Sequence, residues 1–197
     1  FQFGRDVFSH EGGEGPVTEW HERRVTDGRW RQEGGATRLD FKSYSVEVDA
    51  EATRRAYEAL PRTDEACTCS GCRNFSLAIG DALGEGGRRF FEELGVDPAK
   101  PTEACVDDAL GGAGGMLLYG AWYRLCGRIE RRFELPPGTT GREWRDAMAR
   151  DVGDANVSFS EHVIGGRAGF GGGAVVQMDI SARAPWVLDE PNTYLDG

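Results

Sequence analysis

The chain predicts an α+β fold: an antiparallel β-sheet of about four or five strands with two or three helices packed on one face. Three observations carry this. Helical periodicities gather between residues 49 and 94, and strand-like alternation dominates after residue 101; helices and strands are segregated rather than interleaved. The segment Ala174–Trp186 alternates cleanly. Val176, Met178, Ile180, Ala182, Ala184 and Trp186 point one way, and Gln177, Asp179, Ser181 and Arg183 the other. One buried and one polar face is the mark of an antiparallel strand. Glycines, 29 of 197 residues, fall mostly in discrete clusters at 12–15, 34–35, 84–87, 111–115 and 165–173, where they read as connectors between patterned segments.

Residues 1–40 are polar, charged and glycine-rich, with Trp20 and Trp30 as isolated anchors. Thr26-Asp27-Gly28 is a hairpin-turn signal. It separates Val17–Val25 from Arg29–Gln32 and predicts an N-terminal hairpin extension over 1–40, ahead of a single α+β domain over 41–197. Phe41–Val48 predicts a strand, with Tyr44, Val46 and Val48 on one face. Asp49 suits a helix N-cap, and that helix runs to Leu60, where Pro61 stops it. Arg62–Cys72 reads as a loop. A second helix is expected from Arg73 to Leu83 and a third over Glu85–Leu94, with Gly95 as its C-terminal stop. Met116–Phe133, Asn156–Ile164 and Ala174–Trp186 are the expected strands, Glu143–Arg150 a short helix, and Gly165–Gly173 a glycine-rich hairpin loop.

Lysine plus arginine total 23 against 33 acids, a formal net charge of −10. A bulk nucleic-acid binder needs a basic surface, so no nucleic-acid partner is expected. No apolar run reaches the roughly 18–20 residues that span a bilayer, so no membrane partner is expected. An acidic exterior suits a basic protein partner.

The strongest chemical signal is Cys67-Thr-Cys69-Ser-Gly-Cys72. With Cys105 and Cys126 the chain has five cysteines. An odd number argues against a complete disulfide framework and for a reducing, cytoplasmic setting. Three thiols within six residues can converge on one cation, Gly71 easing the turn. Zinc is the usual partner of such thiolates and prefers four ligands in a structural site. The fourth is open: Cys105, Cys126, Asp64 or one of His10, His21 and His162. A redox reading is the alternative, with Cys69 and Cys72 opening a helix whose N-terminus favours thiolate. A third reading makes 165–173 a flap over a small ligand, with Arg167 as an anion contact and Phe170 as a lid. That loop lacks the Lys-Ser/Thr ending of a phosphate loop. The paired acids Asp64-Glu65, Asp107-Asp108 and Asp189-Glu190 form no dyad by spacing.

Four strings occur in order: Cys67-Thr-Cys69-Ser-Gly-Cys72-Arg73-Asn74-Phe75, Leu94-Gly95-Val96-Asp97-Pro98-Ala99-Lys100, Tyr119-Gly120-Ala121-Trp122-Tyr123, and Pro185-Trp186-Val187-Leu188-Asp189-Glu190-Pro191. Together they resemble an uncharacterised bacterial protein family with a C-x-C-x-x-C-R-N-F segment and a P-W-V-L-D-E-P motif. The resemblance covers about residues 40–191, implies one continuous domain there, and supplies no catalytic residues. The expectation is therefore a non-enzymatic domain whose Cys67, Cys69 and Cys72 hold a structural zinc.

Overall fold

A computed structural model describes residues 31–33, 36–111, 115–166 and 169–195. The hairpin expected from Val17–Val25 and Arg29–Gln32 lies almost wholly outside them, as do Trp20, Trp30, His10, His21 and Arg167. The described chain is α+β. Its strands are β1 (Arg31–Glu33), β2 (Ala36–Asp40), β3 (Tyr44–Asp49), β4 (Glu103–Gly111), β5 (Met116–Arg131), β6 (Ala149–Val152), β7 (Ala155–Ser160) and β8 (Val175–Ala184). The helices are α1 (Ala50–Glu58), α2 (Thr63–Ala66), α3 (Ser70–Ala82), α4 (Gly84–Glu93) and α5 (Gly141–Met148), followed by a 3-10 turn at Thr193–Leu195. No helix of the described residues is long and apolar enough to cross a membrane.

All strands join one antiparallel sheet in the order β1-β2-β3-β5-β8-β7-β6, with β4 also on β5. The sheet is larger than the four or five strands expected, and several of the added strands have a local reason. β1 overlaps Arg29–Gln32, expected as an arm of the N-terminal hairpin, and enters the sheet through β2; β6 is only four residues long, too short to show alternation. β4 breaks register between Val106 and Asp108 and again between Ala109 and Gly111; each bulge inverts the in–out pattern that announces a strand. β6 follows α5 without a break, so the expected helix over Glu143–Arg150 ends at Met148 and its last residues extend instead.

The sixteen-residue β5 is the spine. Its first part pairs with β4 on residues 116–122 and with β8 on 117–126, and its end pairs with β3 on 127–131. Between Trp122 and Gly127 a helix side chain completes the ladder: the Cys126 N–H donates to Thr53 Oγ1 of α1 at 3.1 Å. Gly127 permits the switch to β3, because a Cβ there would stand 2.4 Å from the Glu47 carbonyl oxygen.

The register gathers one buried face. Tyr119, Ala121, Tyr123 and Leu125 of β5 lie opposite Ala182, Ile180, Met178 and Val176 of β8, and all eight are almost fully buried. Phe75 of α3 meets Tyr119 edge-on at 5.3 Å, and Phe91 of α4 meets Tyr123 at 5.1 Å. Each large apolar side chain buried there contributes roughly 1.5–3 kcal/mol. α1 starts as expected: Asp49 caps it, its Oδ1 accepting from the Ala52 N–H at 2.8 Å. α4 ends at Gly95, whose φ of 72° supplies the left-handed stop.

Candidate metal centre

The cysteine loop is set by two helices pinned to each other. α2 sits inside the segment expected as a loop. The Thr63 N–H and Oγ1 both donate to the Ala99 carbonyl at 2.9 Å. Asp64 accepts from Ser76 Oγ at 2.5 Å and from Arg62 Nε at 3.2 Å, and Arg62 Nη2 reaches the Ser76 carbonyl at 3.1 Å. Ser76 belongs to α3, so α2 and α3 hold fixed positions and residues 67–69 must turn between them.

α3 begins at Ser70, three residues before the expected start at Arg73. Cysteine is an unusual cap, which hid the boundary. Cys69 is the N-cap, and its Sγ accepts from the Cys72 N–H at 3.4 Å. This is a thiol version of the Ser or Asp cap, in which a side-chain acceptor takes up an orphan N–H of the first turn. Cys67 and Cys72 flank that cap. The Cys67 and Cys69 sulfurs lie 3.4 Å apart, well beyond the roughly 2.05 Å of a disulfide, and all five cysteines are free thiols.

The three sulfurs of Cys67, Cys69 and Cys72 lie within 4.8 Å of one another. Tetrahedral zinc with Zn–S bonds near 2.3 Å needs S···S separations of about 3.8 Å. The thiols therefore need shifts of about an ångström or less to enclose a cation of that size. Such a cluster could hold a metal ion. Cys67 and Cys69 are exposed and Cys72 is half-buried, so an ion can reach the site from solvent. The Cys69 backbone N–H, with the Cys69 and Cys72 thiols beside it, holds the Cys67 thiol below its ordinary value. Burial, with the Cys69 and Cys67 thiols beside it, pushes the Cys72 thiol well up.

Of the expected fourth-ligand candidates, those among the described residues stand elsewhere, while His10 and His21 lie outside the described residues. Among the described residues the ligand group consists of the three thiols. Cys105 donates to Asp107 Oδ1 at 3.1 Å, and burial together with that carboxylate pushes its thiol up to about 12. Cys126 faces the Phe170 carbonyl at 3.6 Å. Asp64 is taken by Ser76 and Arg62. His162 is exposed, two residues past the end of β7, not inside a strand as expected. Phe170, the lid of the alternative flap reading, is only 3% exposed and belongs to the core.

The residues just after Cys72 carry contacts that spacing does not show. Asn74 is fully buried. Its Nδ2 donates to Tyr119 Oη and to the Pro185 carbonyl, both at 3.0 Å, and its Oδ1 accepts from the Val187 N–H at 2.7 Å. Arg73 pairs with Glu190 at 2.9 Å. Tyr119 Oη donates to the Gly71 carbonyl at 3.2 Å. The Arg-Asn-Phe end of the cysteine string and the Pro-Trp-Val-Leu-Asp-Glu-Pro string thus meet in space. Two distinctive strings over a hundred residues apart were the only signal, and the pairing itself was invisible. Trp186, expected as a buried-face anchor, is half-buried, its Nε1 donating to the Glu190 carbonyl at 2.7 Å.

No family model, no curated protein and no solved structure matches this chain.

Proposed function

We propose that the protein is a non-enzymatic metal-binding domain in which Cys67, Cys69 and Cys72 hold a zinc ion, and that its acidic exterior serves a basic protein partner in the cytoplasm. The convergence of three sulfurs within 4.8 Å carries the metal reading. Thiolates select zinc, copper(I) or iron–sulfur clusters, and zinc is the usual structural choice among them. The non-enzymatic reading is supported by how the neighbours are used: Arg73, Asn74 and Tyr119 hold the chain together around the cluster. The charge of −10 supports a basic partner.

Elemental analysis of the purified, reduced protein tests the metal. About one equivalent is expected, and content well below that overturns the reading. Substituting Cys67, Cys69 or Cys72 by serine should each weaken zinc binding about 100-fold, since thiolate ligation supplies most of the binding free energy. Thiols that react with a disulfide reagent only after a chelator is added support zinc. Thiols that react freely, with a Cys69–Cys72 disulfide forming on mild oxidation, favour the redox reading instead.

A further inference from the structure

We propose that cation binding at Cys67, Cys69 and Cys72 is thermodynamically coupled to docking of the segment 185–195, which acts as a strap held more tightly when the site is loaded and more loosely when it is emptied. The inference rests on the metal reading above and adds its regulation.

The strap pairs with no strand of the sheet. It docks on the start of α3, at Gly71, Arg73 and Asn74 beside Cys72, and its 3-10 turn also packs against β4. Asn74 binds the Pro185 carbonyl and the Val187 N–H. Arg73 binds Glu190. The Tyr194 ring lies over Gly71, its Oη 2.6 Å from where a Cβ would stand. A second foothold is Gly115, whose carbonyl accepts from Asn192 Nδ2 at 3.4 Å, while within the strap Asn192 Oδ1 accepts from the Tyr194 N–H at 3.1 Å. Trp186 and Tyr194 tilt against each other at 6.2 Å and close the strap on itself.

The first turn of a helix lacks partners for its N–H groups and frays readily. Here that turn also contains Gly71, which gains more freedom on unwinding than any other residue. Glycine is required, because the Tyr194 ring takes the space of a side chain. A cation bound to the N-cap thiol of Cys69 and to Cys72 three residues on would clamp the turn. The strap recognises Gly71 within that turn, and Arg73 and Asn74 directly after Cys72, in the same helical conformation. Whichever binds first meets the ordering cost, and the second binds to a surface already formed. Coupling of this kind is reciprocal: the factor by which metal strengthens strap docking equals the factor by which a docked strap strengthens metal binding.

The test uses the full, reduced chain. Hydrogen exchange read by mass spectrometry follows the amides of Val187, Tyr194 and Leu195 with and without one equivalent of zinc. Competition with a chelating dye gives zinc affinity for the wild type, Asn192→Ala, Tyr194→Ala and Phe170→Ala. Zinc should slow exchange of the strap about five- to tenfold, within the usual range of allosteric coupling. Asn192→Ala and Tyr194→Ala should weaken zinc by a similar factor, although neither side chain belongs to the thiol group. Phe170→Ala removes a core side chain outside the strap; zinc affinity should stay at the wild-type value, which separates coupling from general loss of stability. One equivalent of zinc bound with unchanged strap exchange and wild-type affinity in both strap variants overturns the coupling and leaves the metal site standing. Failure of the wild type to bind zinc overturns both, and the stoichiometry shows it directly.

Discussion

Asp179 shows how one side chain sets a pH dependence. It sits on β8 between Trp122 of β5 and Ser158 of β7. Gln177 Nε2 donates to its Oδ1 at 2.7 Å, and Gln177 Oε1 accepts from the Ile164 N–H at the same distance. Burial pushes the carboxyl up to about 6, against the hydrogen bonds from Gln177 and Trp122 and the nearby His162, which pull it down. The native state therefore holds this proton more tightly than the unfolded chain. The resulting stability is fully present below the unfolded value near 3.8, falls as pH rises, and is gone above about 6. Asp179→Asn keeps the acceptor for Gln177 and never ionises. It should be more stable than the wild type by on the order of 2 kcal/mol at pH 8, an advantage that shrinks to nothing near pH 4. Urea midpoints at both pH values check this, and a pH-independent difference would show that ionisation is not the cause. Asn74 is the neutral counterpart: buried, fully hydrogen-bonded, and unreadable in sequence, since nothing marks which asparagine will be enclosed.

Among the elements, the connection between β7 and β8 departs most from its sequence signal. A run rich in glycine reads as a mobile tip, and Gly165, Gly166, Gly169 and Gly171 do take positive φ values. Phe170 within it is nevertheless anchored. Its ring meets Tyr57 of α1 edge-on at 5.9 Å, and the Arg124 guanidinium lies over it at 4.9 Å. Arg124 Nη1 also donates to the Gly165 and Gly166 carbonyls at 3.4 and 3.1 Å. The glycines let the backbone bend so that one aromatic can reach the core. Phe170→Ala should cost about 3 kcal/mol, the usual range for emptying a buried aromatic site, seen as a lower urea midpoint with an unchanged slope. A loss under 0.5 kcal/mol would mean the ring is not packed in solution. Elsewhere the legible elements were those with a clean period or a conventional cap: α1 behind Asp49, α4 with its Gly95 stop, and β8. β4 was hidden by its bulges, and the start of α3 by a cysteine cap.

At the scale of the whole molecule, charge and topology act together. The formal charge of −10 is spread over a single chain with surface pairs such as Arg38 with Glu47 and Glu130, and Arg131 with Glu161. Exposed pairs of this kind are each worth about 1 kcal/mol or less, so net self-repulsion should dominate. Raising sodium chloride from 20 to 500 mM should therefore raise the melting temperature by roughly 2–5 °C as the Debye length shrinks; a fall would mean that the arginine pairs outweigh the repulsion. Local patterns in the chain settled the α+β class, the inward face of β8, the cap of α1 and the grouping of three thiols within six residues, because period, cap chemistry and spacing are local properties. The size of the sheet, the thiol convergence to within 4.8 Å, and the meeting of Arg73 and Asn74 with residues 185–190 emerge from the fold alone. Those depend on strand pairing and on two pinned helices, contacts between residues far apart in the chain that no local pattern encodes.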